Sequence, residues 1–146
     1  MAARILGHDH AIITNLFPVP TRSVLHVNAV GIEAKLWEAA RPGISEALSA
    51  ATDVLLGYGC QEPTGPARYH FRNQLNWLQG ELEKRDRMLW TVSTRPRHPS
   101  RWQRHTSLHY PDMPFHEALR RSLTQPLGLT PPRAEPELGH GVRSAS

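Results

Sequence analysis

Apolar positions along the chain fall into two patterns. Three short runs, Ala11–Thr14, Val54–Leu56 and Met88–Val92, are apolar, partly β-branched and bounded by polar or turn-forming residues. Runs of that kind fit strands covered on both faces. Between them, apolar residues recur every three or four positions. Pro42 suits a first helical turn, and Ile44, Ala47, Leu48 and Ala51 follow it on one face. The spacing of Phe71, Leu75, Leu78 and Leu82 predicts a helix over about 66–84, started by Pro66 and capped by Thr64 or Gly65, with Glu81 and Arg85 as an i,i+4 pair. A last helix is expected from Pro114, with Phe115, Ala118, Leu119 and Leu123 inward. Ile32, Leu36 and Trp37 suggest a shorter one before Arg41.

Alternation of strand and helix implies an α/β fold, a three-layer α/β/α arrangement around a small parallel sheet. One domain over residues 1–125 accounts for nearly all the apolar residues. From 126 onward, Pro126, Pro131, Pro132 and Pro136 with Gly128, Gly139 and Gly141 remove any periodicity, and a disordered tail is expected. No internal repeat is visible.

Composition changes this picture in two places. The single cysteine, Cys60, excludes an internal disulfide and fits a reducing compartment. The N-terminus lacks the apolar run of a signal peptide, and nowhere is there a run of about 20 apolar residues to span a bilayer, so a cytoplasmic location is expected. The net charge of +4 is weak evidence by itself, because Lys35 and Lys84 are the only lysines among 17 basic residues, a bias toward Arg that genome composition explains. Its distribution says more. No acidic residue lies between Asp86 and Asp112, whereas Arg87, Arg95, Arg97, Arg101 and Arg104 do, with His98, His105 and His109. That local field suits a nucleotide or a nucleic acid.

In open parallel sheets, ligands bind beyond the carboxyl ends of the strands. That rule selects Asn15-Leu16-Phe17, Gly57-Tyr58-Gly59 and Arg95 to Arg101, all on one edge. Gly57 and Gly59 let backbone approach a ligand, although a tight exit from a strand explains them equally well. Asn15 has either a hydrogen-bonding or a turn-capping role. Pro96 and Pro99 restrict the loop around Arg97 and His98. Arg97 and Arg101 offer donors to phosphate or carboxylate, His98 a donor to a carbonyl, Ser100 a further polar contact and Trp102 a stacking surface. A solvated, arginine-biased loop is the plain alternative. His8-Asp9-His10 resembles a metal pair, but Asp9 faces away in an extended chain, so no metal and no cofactor is expected. Asp53 and Glu62 flank the second strand as a conceivable carboxylate pair. Cys60 lacks a histidine partner in sequence. Arg68, Arg72, Arg85 and Arg87 read as a solvated helix face.

Ile13-Thr14-Asn15-Leu16-Phe17, Thr52-Asp53-Val54-Leu55-Leu56-Gly57-Tyr58-Gly59 and Pro96-Arg97-His98-Pro99 resemble, in order and spacing, the bacterial domain-of-unknown-function family 1643 over about residues 4–125. Tyr58-Gly59 and His98-Pro99-Ser100 are more distantly similar to the uracil-DNA glycosylase superfamily. The resemblance implies a glycosylase-like fold in which His98 donates to a base carbonyl as the glycosidic bond breaks. Members of both families carry an earlier strand ending in Asn-Pro or Asp-Pro. This chain is expected to lack that strand, which would leave an unpaired sheet edge. Three readings therefore stand together: a nucleotide or nucleic-acid pocket related to N-glycosidic hydrolases, active or inactive, a module gripping phosphate backbones, and a non-catalytic protein-interaction domain.

Overall fold

A computed structural model describes residues 1–126 of the chain. Its elements run α1 (Ala2–Ile5), α2 (Val24–Val30), α3 (Ala34–Glu38), α4 (Arg41–Ala50), β1 (Asp53–Leu55), α5 (Gly65–Glu83), β2 (Met88–Val92), a 3-10 turn (Pro99–Arg101), α6 (Trp102–His109), α7 (Phe115–Ser122) and β3 (Leu123–Thr124). The architecture is α/β, and the sheet is mixed. β1 pairs in parallel with β2, Val54 opposite Leu89, and β3 pairs antiparallel with the end of β2. Leu123, expected inward on the last helix, instead begins β3. Residues 127–146, where nearly all of the expected tail falls, lie outside the described residues.

Each well-formed helix has a visible cause. α5 starts where Pro66 needs no hydrogen-bond acceptor for its missing N–H, and Thr64 is its N-cap. Its buried face is Ala67, Phe71, Gln74, Leu75, Leu78, Glu81 and Leu82. Leu78 and Leu82 meet Ile44 and Leu48 of α4 and Leu56 after β1, with Val54 and Leu89 of the sheet packed alongside. Phe71 and Leu75 meet Trp37 of α3, with Val27 of α2 and Phe17 against them. Leu16 and Tyr58 touch both clusters and join them. Burying one such large apolar side chain contributes roughly 1.5–3 kcal/mol, so α5 is the spine of the domain.

By the alternation of the strands, Asp53, Leu55, Trp90 and Val92 face the opposite way from Val54, Leu56 and Leu89. On that side His8, just after α1, reaches Asp53, and α7 packs on β2 with α1 against it. Asp53 accepts from Trp90 Nε1 at 2.7 Å and lies 2.6 Å from His8 Nε2. The Trp90 hydrogen bond, followed by His8, holds its carboxyl below the ordinary range.

The run Ala11–Thr14 forms no strand. Ile12 is 64% and Ile13 87% exposed, and none of residues 9–15 makes a backbone hydrogen bond among the described residues. A β-branched sequence favours a strand only where a neighbouring strand accepts it. Here, among the described residues, β1 pairs on one side alone, with β2.

Candidate functional site

Two of the three segments expected on the carboxyl edge of the sheet do meet there. β2 ends in a tight reversal: Ser93 sits at φ 64°, and Val92 bridges to Arg95. The reversal turns the Arg95–Ser100 loop toward the end of β1. Gly59 donates its backbone N–H to Pro96 O at 2.7 Å, and at φ 101° this position requires glycine. A Cβ built on Gly57 would stand 3.4 Å from Pro99 Cδ, in ordinary contact. Gly59 thus seats the loop, the role a tight strand exit would give it, whereas Gly57 lies against Pro99 with room for a side-chain carbon. Burial, with Cys60 nearby, pushes the Tyr58 hydroxyl up to about 12.

Asn15 does not join them. Its side chain is exposed and has no hydrogen bond among the described residues, while its neighbours Leu16 and Phe17 turn into the core. The three-motif convergence therefore reduces to two motifs, because without a first strand nothing carries Asn15 to the sheet edge.

Within the loop, His98 is exposed and caps the 3-10 turn. The Ser100 backbone N–H donates to His98 Nδ1 at 3.3 Å, and Ser100 Oγ lies 2.8 Å from the same nitrogen. A backbone N–H can only donate, so Nδ1 is the accepting nitrogen and neutral His98 carries its proton on Nε2, which has no partner among the described residues. Trp102 Nε1 donates to Arg97 O at 2.8 Å, fastening the start of α6 to the loop. The Arg97 side chain is half-buried, and its Nε is fully buried with no hydrogen-bond partner. Arg95, Arg101 and Arg104 likewise have no hydrogen bond or ion pair from their side chains among the described residues; all three are exposed.

Behind Arg97 stand two residues whose roles the sequence did not reveal. His105 and His109 pair on α6 with ring centroids 4.2 Å apart and planes tilted by 39°, and His109 Nδ1 donates to His105 O at 2.8 Å. Burial, then the positive charge of Arg97, then His109, hold the His105 imidazole below its ordinary range. Their i,i+4 spacing was the available signal, hidden because α6 buries only Thr106 and lacks an apolar stripe.

The other sequence candidates resolve elsewhere. Asp53 and Glu62 do not form a pair: Asp53 binds His8 and Trp90, and Glu62 takes a two-point contact from Arg72 at 3.1 and 3.0 Å, with Arg68 3.9 Å away. Arg68, Arg72, Arg85 and Arg87 are not simply a solvated face. Arg85 donates to Glu81 at 2.7 Å, and Arg87 donates to the carbonyls of Leu48 and Ser49. Cys60 is exposed. Among the described residues no group of three His, Cys, Asp or Glu side chains is placed to hold a metal, and no helix is long and apolar enough to cross a membrane. A shallow hollow of about 320 Å³ is lined by Tyr110, Pro111, Asp112, Met113, Pro114 and Glu117, none of them in the loop.

Comparison with protein-family models, with curated proteins and with solved structures finds no match to this chain.

Proposed function

We propose that the chain binds the phosphate backbone of a nucleic acid through Arg95, Arg97, Arg101 and Arg104, with His98 as an outward donor. The observation that carries this reading is the Arg97 guanidinium, whose Nε is buried without an acceptor in a stretch that has no carboxylate. A buried donor left unsatisfied costs roughly 1–3 kcal/mol. A phosphate that enters as the half-buried side chain shifts outward recovers part of that cost. Arginine suits the task because its planar fork matches the geometry of phosphate oxygens. The glycine-seated loop and its two prolines limit the ordering that binding requires. This is binding by charge, without chemistry on a base.

A fluorescence-anisotropy titration of a labelled single-stranded 20-mer tests it. Four phosphate contacts give a slope of about −2.8 in log K against log salt, so affinity falls about 50-fold between 50 and 200 mM salt. Replacing Arg101 or Arg104 by Gln lowers the slope by about 0.7 each. Affinity should be alike for all base compositions. Absence of binding, or binding that is salt-independent, sinks the proposal. Selectivity for one base would instead favour the second reading, a base-recognising pocket in which His98 Nε2–H meets a carbonyl.

A further inference from the structure

The His105–His109 pair has no structural duty that explains two imidazoles beside an unpaired arginine. His109 Nδ1 is committed to the His105 carbonyl, but the ring nitrogens of His105 have no hydrogen-bond partner among the described residues. Two charges act on His105, and α6 with the elements packed on it carries others, Arg104 of α6 itself among them. From the loop comes Arg97, and from its own helix His109. The 3-10 turn that leads into α6 carries Arg101, and His98 caps that turn. The helix packed on α6 is α7, with His116, Glu117, Arg120 and Arg121; its one carboxylate, Glu117, pairs with Arg121 at 3.7 Å. No carboxylate is engaged with His105, so everything that acts on it is cationic or neutral.

Resting on the phosphate-binding reading of this site, we propose that His105 is its proton-linked element: a phosphate seated against Arg97 brings a proton onto His105, and affinity rises as pH falls. The physics is one of sign. In the free protein, burial, Arg97 and His109 all oppose charge on His105, which is neutral at neutral pH. A phosphate beside Arg97 cancels the repulsion and offers the ring an acceptor, which favours the charged form. The free group then titrates below its ordinary range and the bound group higher, so binding takes up a proton between those two values. The same proton adds a charge-assisted hydrogen bond to the complex.

The test uses the full chain and labelled oligothymidylate, which has no group titrating between pH 5.5 and 7.5. At constant ionic strength, affinity should rise several-fold from pH 7.5 to pH 5.5, short of the roughly tenfold limit that lifting one group by one pH unit can give. His105→Gln makes the profile shallower, whereas His116→Gln, on α7 outside the cluster, retains it. In the unaltered protein, the His105 ring proton followed by NMR should titrate at higher pH with oligonucleotide than without it, a reading that holds even if the variant fails to fold. Binding that is independent of pH, an unaltered profile in His105→Gln, or a His105 titration unmoved by oligonucleotide overturns this inference while leaving the phosphate-binding proposal intact. No binding at any pH overturns both.

Discussion

Around α4 and α5 the guanidinium groups are tied into the protein, whereas in the stretch after β2 they are left without partners. Arg41 donates to Gln74 and lies 5.2 Å over the Trp77 ring; Arg72 grips Glu62; Arg85 meets Glu81, Ser45 and Ser49; Arg87 meets two carbonyls at the end of α4. Arg95, Arg97, Arg101 and Arg104 have no such acceptor among the described residues. Residue type and overall exposure do not separate the two groups well. What separates them is the supply of carboxylates and free carbonyls within reach. Arginine in the first region therefore holds elements together, and in the second it presents charge.

The sharpest way to break the first region is at Gln74. This fully buried side chain donates to Leu16 O and Trp37 O and accepts from Arg41, so it joins the N-terminal loop, α3 and α4 to α5. Gln74→Leu keeps the volume and strands all three partners. Urea denaturation should show a loss of about 2–4 kcal/mol. The salt slope of oligonucleotide binding, measured under conditions where the variant is folded, should stay as it was.

A smaller effect is expected at Glu81. Hydrogen bonds from Lys84, Arg85 and Ser45 bring its carboxyl from 4.5 down to about 2. The folded group titrates below the unfolded one, so its contribution is complete above about pH 4.5 and is lost as pH falls toward 2. The stability difference between the wild type and Glu81→Gln, followed by thermal melts, should shrink across that window and stay flat above it. A difference that persists unchanged at pH 2 would contradict the role given to these hydrogen bonds.

The smallest effect on stability belongs to the second region, and it sharpens the contrast most. Arg101→Gln, at an exposed side chain with no partner among the described residues, should change unfolding free energy by no more than about 0.5 kcal/mol, the range of surface substitutions, yet weaken oligonucleotide binding. Arg72→Gln should do the reverse, lowering the melting temperature and leaving affinity unchanged. Equal behaviour of the two variants in both assays would erase the distinction between holding and presenting arginines.

Much of this organisation is legible in the sequence, and the misses share a cause. The stripe of Phe71, Leu75, Leu78 and Leu82 and the prolines at helix starts are local signals, and the helices they predict form. The Gly57–Gly59 and Arg95–Ser100 segments meet because the parallel pairing of β1 and β2 puts both strand ends on one side. Ala11–Thr14 fails because a strand pattern specifies a demand for a partner, and the sequence does not say whether one is supplied. Gln74 lies on the apolar stripe of α5, three residues after Phe71, and a polar residue there is the sign of a buried hub; its acceptors, in the loop before α2 and at the end of α3, belong to tertiary structure. The partners of Arg72, Arg85 and Arg87 are hidden for the same reason. Only Glu81, one turn before Arg85, could be read from spacing.

The segment between His8 and Leu16 is fastened at its two ends and nowhere between. His8 is held by Asp53, Leu16 by the core and by Gln74. With no internal hydrogen bonds to break, its length is nearly free to vary: doubling such a loop costs only about 0.6 kcal/mol in closure entropy. The Arg95–Ser100 loop has no such freedom, since one added residue would pull Pro96 O from Gly59 and Arg97 O from Trp102. The fold can therefore accept a peptide inserted between His8 and Leu16 while keeping its basic loop in register.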